Sequence, residues 1–489
     1  MTIVTATSPR QLNRRGFTLF LGVQLALIAT FIFAPSNAIL PIITGLGALI
    51  FLVSYGLFPW IIVPAIVATT ALDITGQLVK ETAIGIPLTG FHAAFGLMLV
   101  GLAMNGFLRD RRTFPDFELK GPLFLLLGVM TLSLSYTPNL VEATIGVMRT
   151  LFLIIFLYGA QVMIDSKRAV NLVLVSMALA LIGASILAVV QIRTESFFLP
   201  ASFVIAVGAN APRAVGTFHN PNTFGTFMMC GTILLFGILF FCPLSKWKRF
   251  LVFVPMVVGA VGLVVTFSRS NWVAAMVGIT VVLAIARKLR YLLYVGLGGF
   301  VVIVVIKEFV PFADHIFERF LSIFTILEDF GNLGRESSSA RVYFIIAGLD
   351  MWLDHPVLGA GWRAFPVLFD HYKPVDFPFW VPTKESHTMF ANMLAELGLV
   401  GFCASVWVVW RTLRTGLEEY NTIEDPYLRG VLGALLTVFI AFQVSLSFTA
   451  DFGNNFLWFF TGMIFAVVTL GRQSATREQE AGSEGRHNQ

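Results

Sequence analysis

Long apolar runs follow one another along most of this chain, and one long polar stretch interrupts them. Each run has about 16 to 25 residues, the length that crosses the hydrocarbon core of a bilayer as a helix. The runs do not alternate with a period of two residues, as the strands of a membrane barrel do. The pattern therefore predicts an all-α polytopic membrane protein with about 12–14 transmembrane helices. The predicted spans are 16–34, 37–54, 57–72, 88–107, 121–135, 145–164, 169–190, 223–242, 250–267, 271–286, 291–310, 387–410, 428–447 and 453–470.

The polar interruption covers residues 311–386 and predicts one long loop between two spans. Ser337–Ser339 can cap a helix that begins directly after them and ends at Asp354. Gly359 and Gly361 then allow the chain to turn back tightly. Apolar residues recur at helical spacing, so we expect an amphipathic helix that lies on the membrane or on the bundle. That apolar face consists of Val342, Ile345, Ile346, Leu349 and Trp352.

The basic residues predict how the spans are oriented. With all spans accepted, every cluster of Lys and Arg falls on one side of the membrane. The short loops of the other side hold only Lys80, Arg193, Arg213 and Arg269. Because cytoplasmic loops carry the excess of basic residues, we predict that both termini are cytoplasmic and that the long loop is extracytoplasmic.

This orientation predicts three segments. Residues 1–15 form a cytoplasmic N-terminus, and residues 16–470 form the transmembrane domain. Residues 471–489 form a cytoplasmic tail, which we predict to be disordered because it is polar and has no apolar period. The first apolar run is long enough to span and more spans follow directly, so no cleavable signal peptide is needed.

Composition supports the membrane assignment. Of the 489 residues, 57% are hydrophobic and only 12% are charged, and the mean hydropathy is +0.82. Soluble domains carry about 25% charged residues. The orientation explains the net charge of +5, so we expect membrane lipids around the protein and no nucleic-acid partner.

The loop before the predicted span 223–242 is the first candidate site. Asn220 and Asn222 flank a proline, which is typical of a turn and of a helix N-cap. A helix start beside Arg213 would bind an anion well. The alternative is a plain loop whose arginine reaches lipid headgroups.

Arg269 lies in a very short turn between two spans and is the second candidate. A guanidinium held at the membrane surface presents a fixed fork of donors that suits phosphate oxygens. The alternative is again an arginine that reaches the headgroups.

The long loop and one span supply the remaining candidates. Arg341 lies in the first turn of the loop helix, where a cation opposes the helix dipole and favours a negative partner. Glu385 and His387 open the next span, and a histidine at a wet membrane edge can exchange a proton near neutral pH. Arg149 lies inside a predicted span, which is a functional position by default, with Glu142 as its structural alternative partner.

Some motifs are missing from the sequence. The predicted outward segments hold no Asp-x-Asp pair and no His/Asp cluster, and the chain has no P-loop, dinucleotide fingerprint or Gly-x-Ser-x-Gly motif. We therefore expect no metal and no cofactor.

Several of these segments resemble, in order and spacing, the motifs of the O-antigen ligase and polymerase superfamily. The resemblance covers roughly residues 210–405, and Thr388 stands where the family commonly has Asn, which blurs the acceptor assignment. The segments are Arg213–Asn222, Ser268–Arg269, Ser339–Arg341, Asp354–Gly361, Ser386–His387 and Leu394–Gly401.

The resemblance implies a bundle of the GT-C type that works outside the cytoplasmic membrane, without metal or nucleotide sugar. The donor would be an undecaprenyl-diphosphate-linked glycan, and the acceptor a hydroxyl of a lipid or glycan. Arg213 and Arg269 would bind the diphosphate, His387 would be the base or would orient the acceptor, and Arg341 would support donor or acceptor binding. A single displacement would invert the anomeric carbon.

Three functions remain open at this point. A ligase transfers the glycan to a different acceptor, whereas a polymerase joins it to another lipid-linked repeat, and the features above fit both. A transporter of lipid-linked glycans would place polar groups near the membrane midplane and show an inverted repeat. Here the polar candidates lie at the outer ends of the spans, which favours the enzyme.

Overall fold

The structure is a computed structural model, and it describes most of the chain after residue 114 and two shorter segments before it. The described residues are 62–71, 90–108, 115–194, 213–218, 220–309, 320–321, 337–375, 377, 386, 388–449 and 452–487. The chain divides into two compact units, Met1–Ala65 and Ile66–Gln489, and only Ile62–Ala65 of the first unit is described. The predicted spans 16–34 and 37–54 lie outside the described residues.

The described residues form fourteen α-helices and no strand. In chain order they are α1 (Ile62–Ala71), α2 (Gly90–Leu108), α3 (Lys120–Ser133), α4 (Leu140–Met163), α5 (Lys167–Thr194), α6 (Pro221–Phe241), α7 (Lys246–Val264), α8 (Arg269–Ile285), α9 (Leu292–Phe309), α10 (Ser337–Asp354), α11 (Phe365–Tyr372), α12 (Met389–Thr422), α13 (Pro426–Leu446) and α14 (Asn455–His487). The short 3₁₀ turn Leu289–Tyr291 precedes α9.

Seven of these helices, namely α4, α5, α6, α7, α12, α13 and α14, are long and apolar enough to cross a membrane. The helices α3 and α8 are apolar but shorter. The predicted all-α polytopic membrane fold is therefore confirmed. The total of 12–14 spans stays a prediction, because several of the predicted spans lie wholly or partly outside the described residues.

Local sequence signals explain where the helices begin. The Asn220 side chain caps α6 by accepting from the Asn222 N–H, and Pro221 occupies the first helical position. Asp425 caps α13 by accepting from the Leu428 N–H at 2.8 Å, and Pro426 again follows the cap. Proline suits the first helical position because its missing N–H has no partner there in any helix.

Helix α6 lies at the centre of the bundle and is buried along most of its length. It packs on α7, α8 and α13. Small residues allow these close approaches: a side chain at Gly237 would meet Ala434 at 2.7 Å, and one at Gly278 would meet Ile233 at 2.6 Å. Helices in a membrane gain their contact energy from this kind of tight packing.

Ion pairs join the helix ends at one end of the bundle. Glu118 pairs with Arg411 and Arg472, and Lys167 pairs with Asp425. We call this the basic end, because it carries the described members of the lysine and arginine clusters that the sequence placed on one side.

A break in α12 anchors the loop that follows α10. At Gly398 the backbone leaves helical geometry (φ 63°, ψ −163°). Four backbone hydrogen bonds of 2.9–3.2 Å join loop residues 356–361 to residues 395–400. Irregular backbone is tolerated at membrane depth where protein satisfies its polar groups. The bonds run from Ala360 N to Ala395 O, from Gly361 N to Glu396 O, from Leu399 N to Pro356 O and from Val400 N to Val357 O.

Helix α10 confirms the loop helix. Phe344, Ala347 and Met351 are buried against α11 and α12, whereas Ile345 and Leu349 of the predicted apolar face are each 37% exposed. Of the two surfaces expected for that face, the membrane therefore fits these two residues better than the bundle. The segment has two apolar stripes, and the one with the phenylalanine ring and the small alanine packs more closely.

Helix α14 extends into the tail as far as His487. Arg, Gln, Glu and Ala are strong helix formers, so this segment can be helical without an apolar face. The predicted disorder of the tail stays a prediction.

Candidate active site

The turn between α7 and α8 is the centre of the candidate site. Phe267 has a positive φ of 53°, which is rare for a bulky residue and costs about 1–3 kcal/mol. The buried Thr266 hydroxyl accepts from the Ser268 N–H at 3.2 Å and donates to the Leu263 carbonyl at 2.7 Å. These bonds hold the turn in one conformation and fix the position of Arg269 directly after it.

Two hydrogen bonds orient the guanidinium of Arg213. Its Nε donates to the Thr266 carbonyl at 2.9 Å, and its Nη2 donates to Asn222 Oδ1 at 2.9 Å. The first bond ties Arg213 to the α7–α8 turn and the second ties it to the start of α6. The half-buried Arg213 is therefore a fixed group and not a loose surface arginine.

Asn222 connects the two predicted arginine motifs. Its Oδ1 accepts from Arg213 and also from the Ser268 hydroxyl, at 3.1 Å. Its own N–H donates to Asn220 Oδ1 at 2.7 Å, so the predicted N-cap is confirmed. Asn220 thus already satisfies one N–H group in the first turn of α6.

Asn271 is fully buried below this cluster, and the sequence reasoning missed it. Its Nδ2 donates to the Asn222 carbonyl at 2.9 Å and to Ser268 Oγ at 3.0 Å. Its Oδ1 accepts from Thr226 on α6 at 3.2 Å and from Ser445 on α13 at 2.9 Å. Polar residues in the predicted spans 223–242, 271–286 and 428–447 were the available signal, because buried polar groups in a membrane must pair.

Several positively charged groups belong to the α7–α8 turn and the segments bonded to it. Arg269 is the first residue of α8, where the helix dipole is positive. The Ser268 hydroxyl caps none of the helix N–H groups, since it points to Asn222. Asn222 and Ser268 therefore connect the oriented guanidinium of Arg213 to the N-terminus of α8, and a guanidinium beside a helix N-terminus suits a phosphate or diphosphate. Within the described residues, no group of three or more His, Cys, Asp or Glu side chains could hold a metal ion.

Arg149 on α4 contacts the turn before α14. Its Nη2 donates to the Gly453 carbonyl at 2.9 Å, and the structure, which describes both residues, shows no ion pair between Arg149 and Glu142. The reason is tertiary: α4 packs along α14, and the side chain of Arg149 reaches that turn. Helix α14 also reaches the loop that follows Arg213, because the ring centroids of Phe456 and Phe218 lie 5.8 Å apart.

The loop residues form a second assembly on α12. Arg341 lies half-buried on α10, which packs on α12. The Tyr372 hydroxyl donates to Asp354 at 2.9 Å, and partial burial together with this bond raises the pKa of Tyr372. Ser386 is buried and donates to the Thr388 carbonyl at 3.2 Å. Glu385 and His387 lie outside the described residues.

Glu396 holds this second assembly together. Its buried carboxylate accepts from the Phe365 N–H at 3.1 Å and from Asn392 Nδ2 at 3.1 Å. Arg363 lies near enough to interact with it electrostatically. Glu396 stood in the sequence only as part of a motif, and its role depends on contacts with residues more than thirty positions earlier.

The structure brings Arg213, Asn220, Asn222 and Arg269 together, and we call these residues the Arg213 cluster. Arg149 and Arg341 lie on other elements. The cluster and the loop assembly are built on different helices: α6, α7, α8 and α13 carry the first, and α10, α11 and α12 carry the second.

Residues 251–406 match the sequence model of a family described as O-antigen ligase. The matched segment includes Arg269, Arg341 and His387, whereas Arg149, Arg213, Asn220 and Asn222 precede it. No curated protein matches the chain. The resemblance to the O-antigen ligase superfamily is confirmed over these residues, and it indicates glycan transfer of the ligase or polymerase type by a multi-pass inner-membrane protein.

Proposed function

From the match to the O-antigen ligase family, we propose that this protein transfers a glycan from undecaprenyl diphosphate to an acceptor hydroxyl on the outer side of the cytoplasmic membrane. The observation that carries the proposal is the hydrogen-bonded chain Arg213–Asn222–Ser268, which leads directly to Arg269. It supports a diphosphate site, because oriented guanidinium groups bind paired phosphate oxygens well.

The reaction is a single displacement. The acceptor oxygen forms a bond to the anomeric carbon while the bond from that carbon to the diphosphate oxygen breaks. The acceptor proton goes to a base, and the lipid diphosphate leaves with both electrons of the broken bond. Arg213, Arg269 and the N-terminus of α8 stabilise the charge that develops on the leaving group. These groups supply positive charge without a metal, and the anomeric configuration inverts.

The remaining predicted residues take supporting roles in this proposal. His387 is the base, or orients the acceptor hydroxyl, and Glu385 beside it contributes to acceptor binding. Arg341 binds donor or acceptor from α10. Asn220 and Arg149 act through the backbone: the first caps α6, and the second holds the turn before α14.

The proposed orientation follows from charge. The basic end would be cytoplasmic and the Arg213 cluster extracytoplasmic, since basic residues are retained on the cytoplasmic side. Cysteine accessibility tests this assignment: a membrane-impermeant maleimide added to intact cells should label a cysteine at Val375 and spare one at Ser245. The reverse labelling would overturn the orientation.

A transfer assay with a defined donor tests the proposed function. Purified protein is incubated with a polyprenyl-diphosphate oligosaccharide, with and without a lipid A-core acceptor, and the products are identified by mass spectrometry. We expect product only when the separate acceptor is present, and no transfer by His387→Ala or Arg269→Ala protein that inserts normally. Full activity of both variants would overturn the assigned roles.

A polymerase is the second candidate, because the donor half of the reaction is the same. Longer lipid-linked glycans formed without added acceptor would establish it and overturn the ligase. Donor that crosses a vesicle membrane, with no new glycosidic bond, would overturn both and establish a transporter.

A further inference from the structure

A cavity lies at the basic end of the bundle, between the ends of α6, α7 and α8. It has a volume of about 420 Å³, within the usual range of small-ligand sites. Its lining combines two cations, Arg249 and Lys288, with aromatic rings. The rings are Phe240, Phe250, Phe253 and Tyr291.

The turn after α8 fixes Lys288 at this cavity. The Lys288 N–H donates to the Leu283 carbonyl at 2.7 Å and the Arg287 N–H to the Ala284 carbonyl at 3.0 Å, which is a Schellman helix end. Such an end needs a residue with positive φ, commonly glycine, but here Arg287 occupies it with φ 54°. The turn thus keeps a charged residue in a conformation that glycine would adopt more easily.

Lys288 is placed over aromatic rings and not over a carboxylate. Its Nζ lies 5.5 Å from the centroid of Phe240 and 5.8 Å from that of Tyr291. Arg249 donates one weak bond to the Leu244 carbonyl at 3.4 Å. In the part of the chain that the structure describes, no acidic side chain pairs with either cation, and the sequence has no Asp or Glu between Glu195 and Glu308.

The surrounding charges strengthen the attraction for an anion. Lys246, Lys248 and Arg249 all lie in the first turn of α7, where the helix dipole is already positive. Arg287 and Arg290 add charge within two positions of Lys288 in the sequence. Cations at a helix N-terminus repel that end of the dipole, so a bound anion would relieve this cost.

The lining also identifies the rest of the ligand. Phe250 and Phe253 are 54% and 51% exposed on an apolar helix, and Leu293 just beyond Tyr291 is 76% exposed. These side chains continue from the cavity onto the outer surface of the bundle, where acyl chains lie in a membrane. A free phosphate would leave this apolar wall uncovered, whereas a phospholipid would cover it.

We propose that the cavity lined by Arg249, Lys288 and the rings of Phe240 and Tyr291 is a binding site for one anionic phospholipid, whose phosphate lies between the two cations. Basic pockets between membrane helices are suited to such headgroups. The site is separate from the Arg213 cluster, and it requires neither glycan transfer nor a particular substrate. A lipid bound there would join the ends of α6, α7 and α8, which are three of the four helices that carry the Arg213 cluster.

Native mass spectrometry of the detergent-solubilised protein tests the site, with phosphatidylglycerol titrated in and phosphatidylcholine as the zwitterionic control. The double variant Arg249→Gln/Lys288→Gln should bind phosphatidylglycerol roughly 30-fold more weakly. The matched control is Lys248→Gln/Arg287→Gln, which removes one lysine and one arginine from the same two elements without touching the lining. We expect this control to bind within about twofold of the unmodified protein.

Three results would overturn the proposal. Equal losses in both double variants would mean that diffuse charge, and not this cavity, holds the lipid. Equal binding of phosphatidylcholine would remove the anionic requirement. Displacement by millimolar inorganic phosphate would assign the site to a free anion. Because no glycan donor is present, none of these results depends on the proposed transfer reaction.

Discussion

Ser445 Oγ donates to Asn271 Oδ1 at 2.9 Å, although 174 positions separate the two residues in the sequence. Through this bond α13 supports the buried amide that in turn holds Asn222 and Ser268 in place. The arginines of the candidate site therefore depend on a helix that carries none of them.

Asn271→Asp should lower glycan transfer on the order of 100-fold, because a carboxylate cannot donate to the Asn222 carbonyl or to Ser268 Oγ and places negative charge near the arginines. Since Asn271 acts through other residues, kcat should fall even when transfer is compared at equal amounts of folded, inserted protein; the loss of two buried hydrogen bonds should also lower the unfolding midpoint. The control is Ser445→Ala, which removes one hydrogen bond at a cost of about 0.5–1.5 kcal/mol and should reduce transfer only several-fold. Equal activity of Asn271→Asp and unmodified protein would show that the amide does not position the site.

Arg213→Lys should reduce transfer roughly 100- to 1000-fold although the charge is kept. One ammonium cannot reach the Thr266 carbonyl and Asn222 Oδ1 with the fixed fork of a guanidinium, so the cation would no longer be oriented. Arg414→Lys is the matched control, because Arg414 forms an exposed pair with Glu418 on its own helix. Steady-state assays that vary the donor concentration compare the Arg213→Lys and Arg414→Lys variants. An Arg213→Lys enzyme with normal kcat and KM would contradict the role of Arg213 at the diphosphate.

Gly398→Ala should destabilise the loop assembly. Gly398 has φ 63°, and an added Cβ would lie 2.4 Å from the carbonyl carbon of Val357. The backbone strain alone costs about 1–3 kcal/mol, and the clash would separate residues 356–361 from α12. Hydrogen exchange over this loop measures the effect. Gly296→Ala on α9 meets nothing within 4 Å and should leave the exchange unchanged.

Glu396→Leu should open the same loop, because the Phe365 N–H and Asn392 Nδ2 would lose their acceptor inside the protein. Each unpaired buried donor costs about 1–3 kcal/mol. Glu396→Gln keeps one oxygen acceptor and should be the milder change in a thermal unfolding measurement. If leucine and glutamine lowered the unfolding midpoint equally, the hydrogen bonds of Glu396 would not be what stabilises the loop.

The sequence by itself determined the membrane fold and most helix positions. Apolar runs of spanning length leave the chain one low-energy choice, which is a helix that pairs its backbone groups internally. Caps such as Asn220 and Asp425 were local signals as well, since each bonds to a residue two or three positions away. Arg213 and Arg269 were found for the same reason: a charge at the end of an apolar run stands out without any knowledge of its neighbours.

Only the tertiary structure decided what those residues contact. Glu142 was the structural alternative for Arg149 because the two are close in sequence, yet Arg149 contacts the Gly453 carbonyl in the turn before α14. The helix break at Gly398 was also not visible, because the loop 356–361 that satisfies its backbone lies about forty positions earlier. Asn271 and Glu396 looked like isolated polar residues for the same physical reason. A buried polar group is stable only with partners, and here packing of distant helices supplies them.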